Sequence, residues 1–186
     1  AAWLSSPPPP LAGGPAQPAW GGYLRAHNLR VSCERCVFTD HSQLGRGHGD
    51  VPRDGEIASI TSPTMVDALS SICIVDVACG DSWTAAISDL GELYTWGCGK
   101  HCVLGHGTAV DQKFPRRVEA LVGQGLMMLA CGAEHMVACS ASHTWTWGSG
   151  NDGQLGHNNT SSMSKPTRLV SLTGNSAVEA VAAGFY

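Results

Sequence analysis

Thr146-Trp147-Gly148-Ser149-Gly150-Asn151-Asp152-Gly153-Gln154-Leu155-Gly156-His157 is the informative stretch of this chain, because it has a second copy upstream. There it reads Thr95-Trp96-Gly97, then Leu104-Gly105-His106-Gly107. Trp96 to Trp147 is 51 residues, and Leu104 to Leu155 is again 51. Working outward, Pro115-x-x-Val118-x-x-Leu121 is echoed by Pro166-x-x-Leu169-x-x-Leu172, each beginning 11 residues after its Leu. Val77-Ala78-Cys79-Gly80, Leu129-Ala130-Cys131-Gly132 and Val181-Ala182-Ala183-Gly184 place three glycines at intervals of 52 and 52. Self-similarity at matched offsets on four landmarks is the signature of a repeat architecture.

Within one period the short runs alternate with turn residues. Ile74 to Cys79 and Leu126 to Cys131 read as first strands closed by Gly, and Thr84 to Ser88 and Met136 to Ser140 as second strands. Glu92 to Trp96 and Thr144 to Trp147 read as third strands, and Arg117 to Leu121 as a fourth. Four short strands per repeat, with Gly, Asp, Asn and Ser between them, are the pattern of a propeller blade, and no long capped 3.6-residue period competes. An earlier, degraded copy holds Gln43-Leu44-Gly45-Arg46-Gly47 and Pro63-x-x-Val66-x-x-Leu69, with 19 residues from Leu44 to Pro63 in place of 11. Upstream of it Val37-Phe38-Thr39 reads like the third strand, but without its Trp-Gly.

The expected fold is therefore all-β, a partial β-propeller of four-stranded blades. Gly80, Trp96, Gly97, Leu104, Gly105, Gly132, Trp147, Gly148, Gly153, Leu155 and Gly156 are its structural motif residues. Residues 37–186 form the incomplete propeller. Residues 1–36 read as a low-complexity extension, since Ala, Pro and Gly fill 16 of the first 30 positions, including Pro7-Pro8-Pro9-Pro10.

Composition narrows the function. The 186 residues carry 11 Lys+Arg against 15 Asp+Glu, a net charge of -4, which argues against polyanion binding because nucleic-acid affinity rests on clustered cations. No run of 18 or more apolar residues is present, so no membrane-spanning helix is expected. The eight cysteines lack a signal-peptide context, and Cys79, Cys131 and Cys139 sit in apolar runs. A reduced, intracellular protein is expected, with cytoplasm and nucleus both open.

Trp147-Gly148-Ser149-Gly150-Asn151-Asp152-Gly153-Gln154-Leu155-Gly156-His157 closely resembles the repeat of the regulator of chromosome condensation family. Val77-Ala78-Cys79-Gly80-x-x-Trp83-Thr84 resembles it too, with Trp83 where the family usually has His; His135 restores that His in the next copy. The resemblance implies a seven-bladed propeller. Seven periods need roughly 350 residues, so these two and a half repeats are expected to be a piece of a larger protein. It also implies a regulatory protein-interaction module rather than an enzyme, with guanine nucleotide exchange on a Ran-like small GTPase as the alternative. The 8-residue excess around Asp50, Arg53, Asp54 and Glu56 is the candidate partner-binding loop, since propeller loops carry function.

Other motifs carry less. Gly148-x-Gly150-x-x-Gly153 matches a dinucleotide fingerprint, but the polar run after it offers no helix N-terminus for a pyrophosphate. Cys98, His101, Cys102 and His106 are zinc-ligand types within nine positions, yet the repeat places Ser149, Asp152, Gly153 and His157 at the same register, which are turn positions. Cys33 and Cys36 with His41 and His48 specify still less. Trp83, Trp96, Trp145 and Trp147 could form a light-sensing cluster like that of a plant photoreceptor sharing the fold this resemblance implies. That receptor's Gly-Trp-Arg-His-Thr pattern is absent, however, and core packing is expected for Trp96 and Trp147. No catalytic set, cofactor, metal or small-molecule substrate is expected. Cys102 stands where Gly153 stands one repeat later, so a turn needing positive φ would be strained there.

Overall fold

A computed structural model describes residues 65–170 and 178–184. They form two antiparallel four-stranded sheets, two blades of a β-propeller. The first contains β1 (Ile74–Cys79), β2 (Trp83–Ser88), β3 (Leu93–Gly97) and β4 (Gln112–Arg117), in that spatial order. The second contains β5 (Leu126–Cys131), β6 (His135–Ser140), β7 (Thr144–Gly148) and β8 (Met163–Arg168), again in order.

The repeat extends to register and to irregularities. Cys79 pairs with Thr84 in the first blade and Cys131 with Met136 in the second. The ladder shifts between Thr95 and Gly97, and at the same place between Thr146 and Gly148. Gly97 and Gly148 both have φ of 103°, and a Cβ at either would run into the β1–β2 or β5–β6 turn backbone. Trp-Gly is thus a bulge device: the Gly turns the chain so the Trp before it points into the core.

The middle strand β2 is buried at every position, so it lacks the polar-out alternation of a half-exposed strand. Trp83, Ala85 and Ile87 face the second blade and join Leu104, Val118, Leu129, Met136 and Trp147 in one inter-blade core. Ala86 faces the other way, onto Trp96, Val66 and Ile74.

One strand falls elsewhere than expected. The fourth strand is Gln112–Arg117, not Arg117 to Leu121. Glu119–Leu121 is a single 3-10 turn that puts Val118 and Leu121 into the core at 1% exposure each. The Pro-x-x-Val-x-x-Leu spacing of three is the 3-10 period, whereas a strand would show period two. Pro115 is tolerated in β4 because this is the outer edge strand.

Candidate functional site

The motif residues build two copies of one polar pin. Thr95 Oγ1 donates to the carbonyl of Leu104 at 2.8 Å and meets His106 Nε2 at 3.1 Å. Thr146 Oγ1 does the same with Leu155 at 2.7 Å and His157 at 3.0 Å. The hydroxyl has one proton, so with Leu accepting it the imidazole Nε2–H is the donor to the oxygen. Burial, followed by the nearby Arg116 guanidinium, lowers His106 to about 4. It therefore stays neutral and holds the pin.

Indoles join the blades. Trp147 Nε1 donates across to the carbonyl of Val103 at 2.7 Å, and Trp83 Nε1 donates to that of Ala133 at 3.3 Å. The glycine of each Ala-Cys-Gly landmark lies under a ring: Gly80 under the Trp83 indole, Gly132 under the His135 imidazole. A Cβ at either would occupy the ring's volume. This is the physical reason the landmark ends in Gly three residues before a Trp or His.

Between the blades, at the end where β1–β2 and β3–β4 connect, lies a cleft of about 210 Å³. Asp81, Ser82 and Trp83 come from the β1–β2 turn, Cys98, Lys100 and His101 from the β3–β4 loop, and Ala133 and Glu134 from the second blade. His101 Nε2 stands 3.2 Å from Glu134 Oε1, at ion-pair distance but without the alignment of a hydrogen bond, and this nitrogen is shielded from solvent. His101 and the adjoining Cys102 have φ of 57° and 58°, the left-handed region that costs residues bearing a Cβ of order 1–2 kcal/mol. The second blade uses Gly153, φ 77°, at the register of Cys102. Burial pushes the Cys98 thiol up, leaving it protonated at neutral pH and a poor nucleophile. Gly99 N–H is capped by Asp111 Oδ1 at 2.8 Å, as Gly150 N–H is by Ser162 Oγ at 3.1 Å. These groups can pair charges and accept hydrogen bonds.

The structure places the sequence candidates unevenly. Trp96, Leu104, Trp147 and Leu155 are at most 1% exposed, as their motif role requires. Asp50, Arg53, Asp54 and Glu56, and Cys33, Cys36, His41 and His48, lie outside the described residues. Cys98 and His101 share the cleft while His106 is held in the Thr95 pin, and among the described residues no group of three or more His, Cys, Asp or Glu could hold a metal ion. Gly148, Gly150 and Gly153 serve the bulge and the β7–β8 turn, and no helix follows them. Trp83, Trp145 and Trp147 share the inter-blade core, with Trp96 in the other. No helix among the described residues is long and apolar enough to cross a membrane. Asp81 and Glu134 escaped the sequence reading; the misfits at Trp83 and Cys102 were the available signal for this cleft.

Comparison with known proteins follows the same units. The family model "Regulator of chromosome condensation (RCC1) repeat" matches residues 91–139 and 142–186. The human E3 ubiquitin-protein ligase HERC2 is 34% identical over 146 residues, 78% of this chain and 3% of the ligase. The ultraviolet-B receptor UVR8 of Arabidopsis thaliana is 35% identical over 142 residues, 75% of this chain and 32% of the receptor. Among solved structures, Prp20p of Saccharomyces cerevisiae, described with its binding properties to Gsp1p and histones, superposes with a TM-score of 0.66 at 21% identity, covering 78% of this chain and 36% of that one. The chain thus spans a third or less of the curated relatives it matches.

Proposed function

We propose that this chain, which belongs to the regulator of chromosome condensation (RCC1) repeat family, serves a larger intracellular protein as a non-enzymatic docking module. In this reading the β1–β2 and β3–β4 loops at the cleft end hold a protein partner. One observation carries it. At this end of the blades the first repeat departs from the second at Trp83, Cys98, His101 and Cys102, of which Trp83, Cys98 and His101 line the inter-blade cleft, while the Thr pins stay the same. Trp83 packs between the blades as well, whereas Cys98, His101 and Cys102 lie on the β3–β4 loop, and loop departures of this kind mark a binding face.

A second reading is nucleotide exchange on a Ran-like small GTPase. It is favoured by the likeness to Prp20p, described with its binding to Gsp1p, and by the insertion bearing Asp50, Arg53, Asp54 and Glu56. Release of a fluorescent guanine nucleotide from a Ran-like GTPase, followed with the complete propeller, separates the two. Acceleration lost on D50N/D54N/E56Q would establish exchange. An unchanged release rate, with partner capture that fails on K100E/E134K, would establish docking.

A further inference from the structure

The end of the blades away from the cleft holds a second difference between the repeats. Arg117 ends β4 and pairs across the sheet with Tyr94, and Arg168 ends β8 and pairs with Trp145. The backbone beyond them is fixed alike: Val118 N–H donates to Leu93 at 2.8 Å, and Leu169 N–H to Thr144 at 2.8 Å. The side chains around the two arginines differ entirely. Arg117 Nη1 donates to Glu92 Oε1 at 2.8 Å, and its Nε and Nη2 grip the two oxygens of Glu119 at 3.2 and 3.3 Å. Tyr94 Oη donates to the other oxygen of Glu92 at 2.8 Å.

In the second blade the register substitutes His143 for Glu92, Trp145 for Tyr94 and Val170 for Glu119. Among the described residues no carboxylate pairs with Arg168. The His143 and Trp145 rings stand 5.7 Å apart beside it, with His143 Nδ1 held by Ser142 Oγ at 2.8 Å, and Val170 is 69% exposed. A guanidinium presents a planar fork that matches a carboxylate in two parallel bonds, and the first blade displays that match within its own chain.

We propose that Arg168 is a docking point for a carboxylate of a polypeptide partner, an acidic residue followed by an apolar one. The acid takes on Arg168 the place that Glu119 takes on Arg117, and the apolar side chain rests on Val170. Arg168 pairs with Trp145 on the face turned towards the first blade, and it is exposed with that blade in place, so this rim stays open beside a neighbouring blade. The site lies at the other end of the strands from the cleft and stands independently of it.

The test is a side-chain NMR titration of the complete propeller-bearing protein, with the Arg168 Nε–H resonance assigned through its loss in R168K. Acetyl-Glu-Leu-amide should shift that resonance saturably, and acetyl-Gln-Leu-amide should bind about three- to fivefold more weakly, the value of one exposed ion pair. V170E supplies the carboxylate in cis and should abolish the response, while V170Q, equal in size and uncharged, should retain it. An equal response to both dipeptides, or an equal loss in V170E and V170Q, overturns the proposal. So does displacement by inorganic phosphate at concentrations below those at which the dipeptide binds.

Discussion

The two blades share a frame and differ at their rims. Both hold their β3–β4 or β7–β8 loop with a Thr–Leu–His pin. Both bury a ring over the glycine of the first turn, and both kink at Trp-Gly. Yet one ring is Trp83 and the other His135, one turn uses Cys102 and the other Gly153, and one arginine is saturated while its counterpart is not. Where a side chain fills the core both copies mostly keep it, as Trp96 and Trp147 or Leu104 and Leu155 show, the buried Trp83 and His135 being the exception. Where it faces solvent at a strand end, that constraint ends.

The sharpest way to break the frame is W147A. Trp147 is fully buried and its indole N–H bonds to Val103 of the other blade, so truncation leaves both a cavity and an orphaned carbonyl. A loss of about 3–5 kcal/mol is expected by urea unfolding of the complete propeller. Acid should come next. His106 is held near 4 in the folded chain against an ordinary 6.5, so the unfolded chain takes up its proton first. Stability is complete above pH 6.5 and falls as pH drops towards 4, by on the order of 1–2 kcal/mol after allowance for partial exposure. Unfolding midpoints at pH 7 and pH 4.5 check this, and H106Q should flatten the difference.

T95V and T146V sharpen the likeness. Each removes one hydroxyl that donates to a buried carbonyl and accepts from an imidazole, and each should cost about 1–1.5 kcal/mol. Equal losses mean the pins are interchangeable. A clearly larger loss for T95V would tie the first pin to the strained loop beside it.

Much of this was legible before any coordinate. Offsets of 51 and 52 residues determine which strands correspond, and alternation locates them to within a residue or two. The fourth strand was misread because Val118 and Leu121 advertise burial at a spacing of three, and burial alone does not separate a strand from a 3-10 turn. The cleft was illegible for another reason. Asp81, His101 and Glu134 are far apart in sequence, and only the packing of one blade on the next brings them together. Trp83 and Cys102 were visible as misfits, although nothing in the chain says that two misfits 19 residues apart share one end of the same blade.

Cys102 gives the smallest effect and the finest comparison. Its φ of 58° costs a residue with a Cβ roughly 1–2 kcal/mol, a cost Gly153 avoids at 77°. C102G removes that strain but adds freedom to the unfolded chain, which offsets about 0.4–1 kcal/mol of the gain. The net expectation is a rise in stability of about 0.5–1 kcal/mol, read from the shift in urea midpoint at constant slope. C102A separates the causes, since it keeps the Cβ and removes only the thiol. If C102A stabilises as much as C102G, the thiol rather than the backbone is at fault and the likeness to Gly153 fails. If only C102G stabilises, the first blade carries backbone strain that the second does not, next to the His101 that lines the inter-blade cleft.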